Sequence, residues 1–451
     1  MQLVGGNDSI LNNGTFNLRH FADTNGDGVR DTVRVATADL GTGPGNSFTN
    51  NGTLALANVT GATKLDSTGQ YLPLGNPNNS MALGGSLQGQ LTGVSTFINS
   101  GIIDLQQNPA AGDVLVITGS RTAGVAGPGT FITGGLLKLD TVLNEGGAAT
   151  RSDTLVVDGT QVGPKGATTI AIKNAGGAGA QTVGNGILVV EVLDPTRSAP
   201  GAFTLGPGEL RAGLFAYGLF QGGVNGSDPG DWFLRNGIAP EVATDGVVQP
   251  IARQMGLQTL GTLHQRIGDT LTLANTGGQG DGVARSDWAR FFGEGFNKSF
   301  QSFADPRASG WMGGIQGGVD LLRTSFWPGH RDVAGVYLAF ANSDVDVHGL
   351  GINATGTGNV QTKTGTLGLN GYSAGGYWTH YGPSGWYIDA VLHGTYYNGN
   401  AVTQFANLKN QRLRLHLLAR RWFSDPAAAR AALCLGAAGT DHLAAGRLQP
   451  G

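Results

Sequence analysis

Three short stretches of this 451-residue chain echo one another at uneven spacing: FTNNGTLAL at 48–56, FINSGIIDL at 97–105 and FITGGLLKL at 131–139. Each passes from an aromatic residue through a polar Asn, Ser or Gly corner into a short apolar alternation. A second pair, GDVLVITG at 112–119 and SDTLVVDG at 152–159, shows the same habit. A strand-and-corner unit that cannot bury its apolar side alone has to stack on its neighbours, which predicts a solenoid. The irregular spacing fits a right-handed parallel β-helix with loops of varying length better than a rigid array. An antiparallel sandwich built from similar strands is the alternative.

Composition agrees with strands and turns. The chain holds 78 glycines and only 13% charged residues. Glycine without a strict triplet suits tight turns and small-residue strand faces rather than collagen. A formal charge of -3, thinly spread, offers no basic face, so no nucleic-acid partner is expected. Cys434 is the single cysteine and makes neither an internal disulfide nor, alone, a zinc site. No run approaches the roughly 18 apolar residues of a spanning helix, so any membrane insertion is as a β-barrel. The start, MQLVGGNDSILNNG, lacks a basic region followed by an apolar one, so no signal peptide is expected in it.

One loop, DTNGDGVRD, sets oxygen donors at alternate positions: Asp23, Asn25, Asp27 and Asp31, with Gly28 for the sharp turn. That is what calcium needs from a short loop, but Arg34 stands where an EF-hand places its bidentate glutamate. The expectation is an abbreviated calcium loop, the alternative a polar turn. No other cofactor is expected.

From Pro250 to Gly268 the apolar residues Ile251, Met255, Leu257, Leu260, Leu263 and Ile267 recur at helical steps, which predicts an amphipathic helix. A loop over 277–282 leads to about five strand candidates, beginning at Trp288, Trp311, Asp332, Leu367 and Gly385. In the last of these Trp386, Ile388, Ala390, Leu392 and Tyr396 share one face, and Tyr387, Asp389, His393 and Thr395 the other. Apolar toward lipid and polar toward a lumen is the pattern of a transmembrane barrel strand, and Trp288, Trp311, Trp378 and Trp386 would form its interfacial girdle. A soluble antiparallel barrel is the alternative. His264, His330, His380 and His393 read as scattered, and Asp344 and Asp346 as solvated or lumen-facing. Ser384 lacks the spacing of a nucleophile elbow. No catalytic residue is assigned, and the chain is read as not an enzyme.

The segment from Gly134 to Asn236, with GGLLKLDTVLNEGGAATRSDTLVVDG, IKNAGGAGAQTVGNGILVVEVLD, GAFTLGPGELRAGLFAYGLFQGG and GSDPGDWFLRN in order, resembles the autochaperone region of pertactin-type autotransporters. There Trp232 and Phe233 would cover the last rung, since an open rung exposes unpaired backbone. The line from Gly237 onward is similar to the linker and helix that these proteins thread through their own barrel, with a helix merely packed between two domains as the alternative. WMGGIQGGVDLL and GGYWTHYGPSGWYIDAVLHGTYY resemble their barrel strands. The resemblance implies an all-β chain: a passenger fragment over 1–133, an autochaperone cap over 134–236, a linker and lumen helix over 237–282 and the first barrel strands over 283–408. It also implies that Arg253 and Arg266 sit in a polar lumen. Implied partners are outer-membrane lipid and the barrel-assembly machinery, with a host-surface or matrix ligand for an adhesin-like passenger at the cell surface. The rivals are a passenger enzyme, protease or esterase, whose catalytic module lies upstream, and a soluble extracellular β-solenoid. Some family members cut their own linker, but no cleavage residues are assigned here.

Residues 409–451 change character, with many Arg, Ala and Leu and few Gly. Back-translated with permitted codons and read from the second base, residues 412–451 yield a text containing LEPQAQ and VDF that resembles further barrel strands. The expectation is a frameshifted tail, from a single-nucleotide insertion near codons 409–411, and hence an incomplete, non-functional barrel.

Overall fold

The computed structural model describes residues 3, 5–19, 21–22, 31–32, 35–57, 86–107, 110–122, 124–147, 149–263, 265, 287–403, 407–414, 418–420 and 434–436. The chain divides into two units, Met1–Ala239 with Gly351–Val360, and Pro240–Leu350 with Gln361–Gly451.

The first unit is a β-helix. One parallel sheet takes Ser9–Asn12, Ser47–Asn50, Thr96–Asn99, Thr130–Ile132 and Thr160–Gln161 in that order. A second takes Thr15–Arg19, Thr53–Ala57, Ile102–Asp104, Leu136–Thr141, Thr168–Asn174 and Phe203–Leu205. The third runs through Val35–Asp39, Gln88–Thr92, Val114–Ile117, Thr154–Val157 and Ile187–Val192. The repeated stretches pair as their sequences align: Phe48 with Phe97 and Phe97 with Phe131, Leu54 with Ile103 and Ile103 with Leu137. An earlier copy, ILNNGTFNL at 10–18, stacks below them, with Ile10 opposite Phe48.

Three columns hold the coils together. Phe48, Phe97, Phe131 and Phe203 stack at 5.3–6.0 Å, met edge-on by Phe16 at 5.2 Å at one end and by Trp232 at 5.5 Å at the other. Buried Asn12 donates to Asn50, Asn50 to Asn99, and Asn99 to the Gly134 carbonyl, at 2.8–3.0 Å. This meets the rule that buried amides need partners. At the corner beside them, a Cβ on Gly52, Gly101 or Gly135 would lie 2.0–2.1 Å from the carbonyl oxygen of the glycine one coil earlier. Only a residue without a side chain lets successive corners come that close.

Buried carboxylates work the same way. Asp158 accepts from Thr118 and from the amides of Gly119, Gly127 and Gly129, and Arg197 donates to the carbonyls of Gly127, Pro128 and Gly129, so the loop between Ile117 and Thr130 is pinned on both sides. Asp153 accepts from the amides of Gly112, Asp113 and Asp140. Burial outweighs these bonds and pushes its carboxyl up to about 7.

The solenoid ends in an antiparallel cap. Trp232–Ile238, buried at all seven positions, pairs with Ile187–Val192 on one side and Phe215–Gln221 on the other, and Leu210–Ala212 follows. The 133/134 boundary expected from sequence falls inside a coil, between Thr130–Ile132 and Leu136–Thr141. Of the calcium loop, Asp23, Asn25 and Asp27 lie outside the described residues, and Asp31 falls in the strand Asp31–Thr32.

The second unit joins helix α1, Pro240–Leu260, to a six-stranded antiparallel sheet in sequential order: β1 Asp287–Ser299, β2 Arg307–Thr324, β3 Arg331–Ile352, β4 Asn359–Tyr381, β5 Tyr387–Thr403 and β6 Asn407–Arg414. Two expectations are corrected. The helix was placed at Pro250–Gly268, but it begins ten residues earlier. Pro240 suits a first turn, and Pro250 is tolerated inside because the carbonyl its missing N–H would serve belongs to exposed Gly246. It ends at Leu260 because Gly261 takes the left-handed conformation, φ 59°. And six strands, not five, form the sheet: β6 pairs with β5 from Thr395–Arg414 to Val402–Asn407 and runs past the 408/409 boundary.

Candidate functional site: the helix and the inner face of its sheet

Alternation sorts each strand into two faces. On β5 Asp389, Val391, His393, Thr395 and Tyr397 are buried, while Leu392 and Tyr396 are exposed, as the dyad pattern requires. The buried face carries α1. Tyr397 Oη donates to the Ala252 carbonyl at 2.7 Å, and Thr259 Oγ1 lies 3.1 Å from His393 Nε2, whose Nδ1 is 2.8 Å from Tyr337 Oη. Arg290 of β1 donates through Nη2 to the carbonyls of Gln258 and Thr259, at 2.6 and 3.3 Å, and through Nε to Gln316 Oε1 at 2.6 Å. A cation at the C-terminal carbonyls complements the helix dipole. Glu294 accepts from the side-chain amides of Gln258 and of Gln254, one turn earlier. The helix is thus gripped by polar side chains of β1 and β5, on one side, over its last two turns.

Arg253, expected in a polar lumen either solvated or paired with carboxylates, is exposed on the helix, and Gln254, Gln258 and Thr259 make side-chain contacts to the sheet. Arg266 and His264 lie outside the described residues.

The exposed face of the sheet carries an apolar band that includes Phe291, Ile315, Leu338, Phe340, Tyr372, Leu392 and Val402. Trp311 borders it where Asp344 and Asp346 begin, and these two acids are exposed rather than inward-facing, Asp346 pairing with Lys363 at 2.6 Å. Trp378 lies near the other end of the strands, where it and Trp386 both pack against His380. Trp288 is a correction: its place on β1 alternates with exposed Phe291, so it points inward, donates to Tyr377 Oη at 3.0 Å and packs with Leu260, Tyr337 and Val391. It belongs to the seat of the helix end and not to the girdle. Trp327, 59% exposed in the turn after β2, is a further exposed aromatic at one end of the strands that sequence reading missed.

The histidines are not all scattered. His330 Nδ1 lies 2.9 Å from His380 Nε2, and His380 Nδ1 lies 2.8 Å from Asp332 Oδ1, which also accepts from Trp378. With Trp327 and Trp386 around them, these rings tie the two turns at one end of the sheet. Among the described residues, no group of three or more His, Cys, Asp or Glu could hold a metal ion.

The fold and this seating meet two families: Autochaperone Domain Type 1 matches residues 128–219, and Autotransporter beta-domain matches residues 288–415. Over these two segments the chain is similar to the autotransporters. Its place is accordingly the outer membrane and the cell surface. Over 384 residues it is 29% identical to the uncharacterized protein YuaQ of Escherichia coli K12, an alignment of 78% of this chain and 25% of that protein. Over 325 residues it is 29% identical to the adhesin BmaC autotransporter of Brucella suis biovar 1, covering 65% of this chain and 8% of that protein. YdeU of Escherichia coli K12 is 27% identical over 306 residues, 62% of this chain and 59% of that protein. The chain therefore spans less than two thirds of the length of each, and a quarter or less of the first two.

Proposed function

We propose that this autotransporter secretes and displays its own β-helical passenger. In this reading β1 to β6 belong to a barrel in the outer membrane, α1 runs in its wet interior, and the passenger, adhesin-like, meets a host-surface or matrix molecule outside. The observation that carries it is the polar grip on α1, because a helix with exposed Arg253 and hydrogen-bonded Gln254 and Gln258 suits a water-filled lumen and not lipid. Outer-membrane lipid and the barrel-assembly machinery are the partners, and nucleic acid is not one. The adhesin relative supports a binding role over an enzymatic one. Calcium at Asp23, Asn25, Asp27 and Asp31 belongs to the same reading, and calorimetric titration of the folded chain without heat of binding removes it.

Among the described residues the outer edges of β1 and β6 have no strand partner, and lipid does not tolerate an open edge. We read the sequence beyond β6, a tail expected to begin at residue 409, as frameshifted and the translocator as written as non-functional. The test is the gene with its frame restored, expressed in a Gram-negative host. Protease added to intact cells should cut the passenger and leave a membrane-embedded fragment. A passenger found folded in the soluble fraction, with no barrel in the membrane, overturns the reading.

A further inference from the structure

Ten residues that span the end of β3, the turn and the start of β4, Gly351–Val360, fold with the passenger unit. What they meet there is Arg235, in the last strand of the cap. This guanidinium is 3% exposed and has no carboxylate partner among the described residues. It donates instead to three carbonyls from three separate segments: Nε to Asn185 at 3.0 Å, Nη2 to Gly222, and Nη1 to Thr355 at 2.8 Å. Phe220 and Phe233 lie 5.3 and 5.8 Å from it. A buried cation held only by carbonyls is costly whenever one of them is withdrawn.

The rest of the segment is shaped to the same surface. A Cβ on Gly237 would lie 2.5 Å from Ile352 Cβ, and one on Gly356, at φ 69°, would lie 2.8 Å from the Phe220 ring, so each partner presents a glycine where the other presents a side chain. Asn359 donates to Gln181 at 3.1 Å, and Gln181 donates on to the Asn236 carbonyl at 3.0 Å. The turn arrives preformed. Asn353 accepts from the Thr357 amide at 2.9 Å and from Thr355 Oγ1 at 3.1 Å, while its own amide donates to the Gly358 carbonyl at 2.9 Å.

We propose that Gly351–Val360 is a docking loop whose partner is the chain's own finished cap, and that it latches the hairpin Phe215–Ile238 by supplying the last acceptor to Arg235. The proposal goes beyond secretion and display, and stands on the geometry of the passenger unit alone. A cap still unfolded has no seat for the loop, because Asn185, Gly222 and Phe220 come together only when the hairpin has formed. The loop thus reads completion of the cap.

The test uses the full chain folded in detergent. Asn353→Ala unties the turn without touching the cap, and Gly356→Val fills the place of the Phe220 ring. In either, hydrogen exchange of the Trp232–Ile238 amides should rise about tenfold or more, as expected when a charged group loses a hydrogen bond. Exchange in Thr96–Asn99 and Thr130–Ile132 should stay unchanged. A rise confined to residues 351–360 overturns the proposal. Against the chance that a variant misfolds, Gln181→Cys with Asn359→Cys, two exposed positions whose side chains meet at 3.1 Å, in a Cys434→Ser background should be joined by a short thiol cross-linker in the otherwise native chain. Failure to cross-link in a chain whose coils show native exchange also overturns it.

Discussion

Asp153 shows how a solenoid with few charges uses one. Its three amide bonds bind successive coils, yet burial holds the carboxyl up to about 7, and Asp231, also desolvated, is raised to about 6. Both folded-state values lie above that of an unfolded aspartate, so the native passenger binds more protons than the unfolded chain. Stability is then fullest below about pH 4 and falls as pH rises through 6 to 7. Chemical denaturation should find the passenger less stable at pH 8 than at pH 5 by roughly 2–3 kcal/mol from Asp153, and Asp153→Asn should flatten that slope. The corner glycines make a second prediction at this scale. Gly101→Ala puts a Cβ 2.0 Å from the Gly52 carbonyl oxygen, and should cost about 1–3 kcal/mol in the same measurement, through overpacking between coils.

At the scale of elements, α1 is held by its end. Arg290→Ala removes the donor to two terminal carbonyls and should cost about 1.5–3 kcal/mol of local stability, seen as faster hydrogen exchange in the last turn of the helix. Arg253→Ala, at an exposed site, should change that exchange little. Much of this was legible and some was not, for physical reasons. The repeats announced the coil register because identical corners must stack. The start of α1 was hidden because Gly246 and Pro250 read as breakers, and only the tertiary seat overrides them. Trp288 was assigned to the wrong face because alternation gives two faces without saying which is inside. That is decided by Leu260, a residue of another element. His330 and His380, far apart in sequence, meet only because two hairpin turns lie at the same end of the sheet.

For the molecule as a whole, the edges decide. If the tail is frameshifted as proposed, the frame-restored barrel should migrate as a compact, heat-modifiable species on gel electrophoresis and the chain as written should not, since unpaired strand edges cannot remain in lipid. The passenger obeys a different rule. The chain length from Phe48 to Phe97 differs from that between Phe97 and Phe131, yet both ring pairs stack at 5.3 Å. Each added circuit therefore meets the same socket whatever detour precedes it. Insertions can accumulate at the corners while the pitch of the stack stays constant, so the surface a host would encounter is free to change without the axis that carries it noticing.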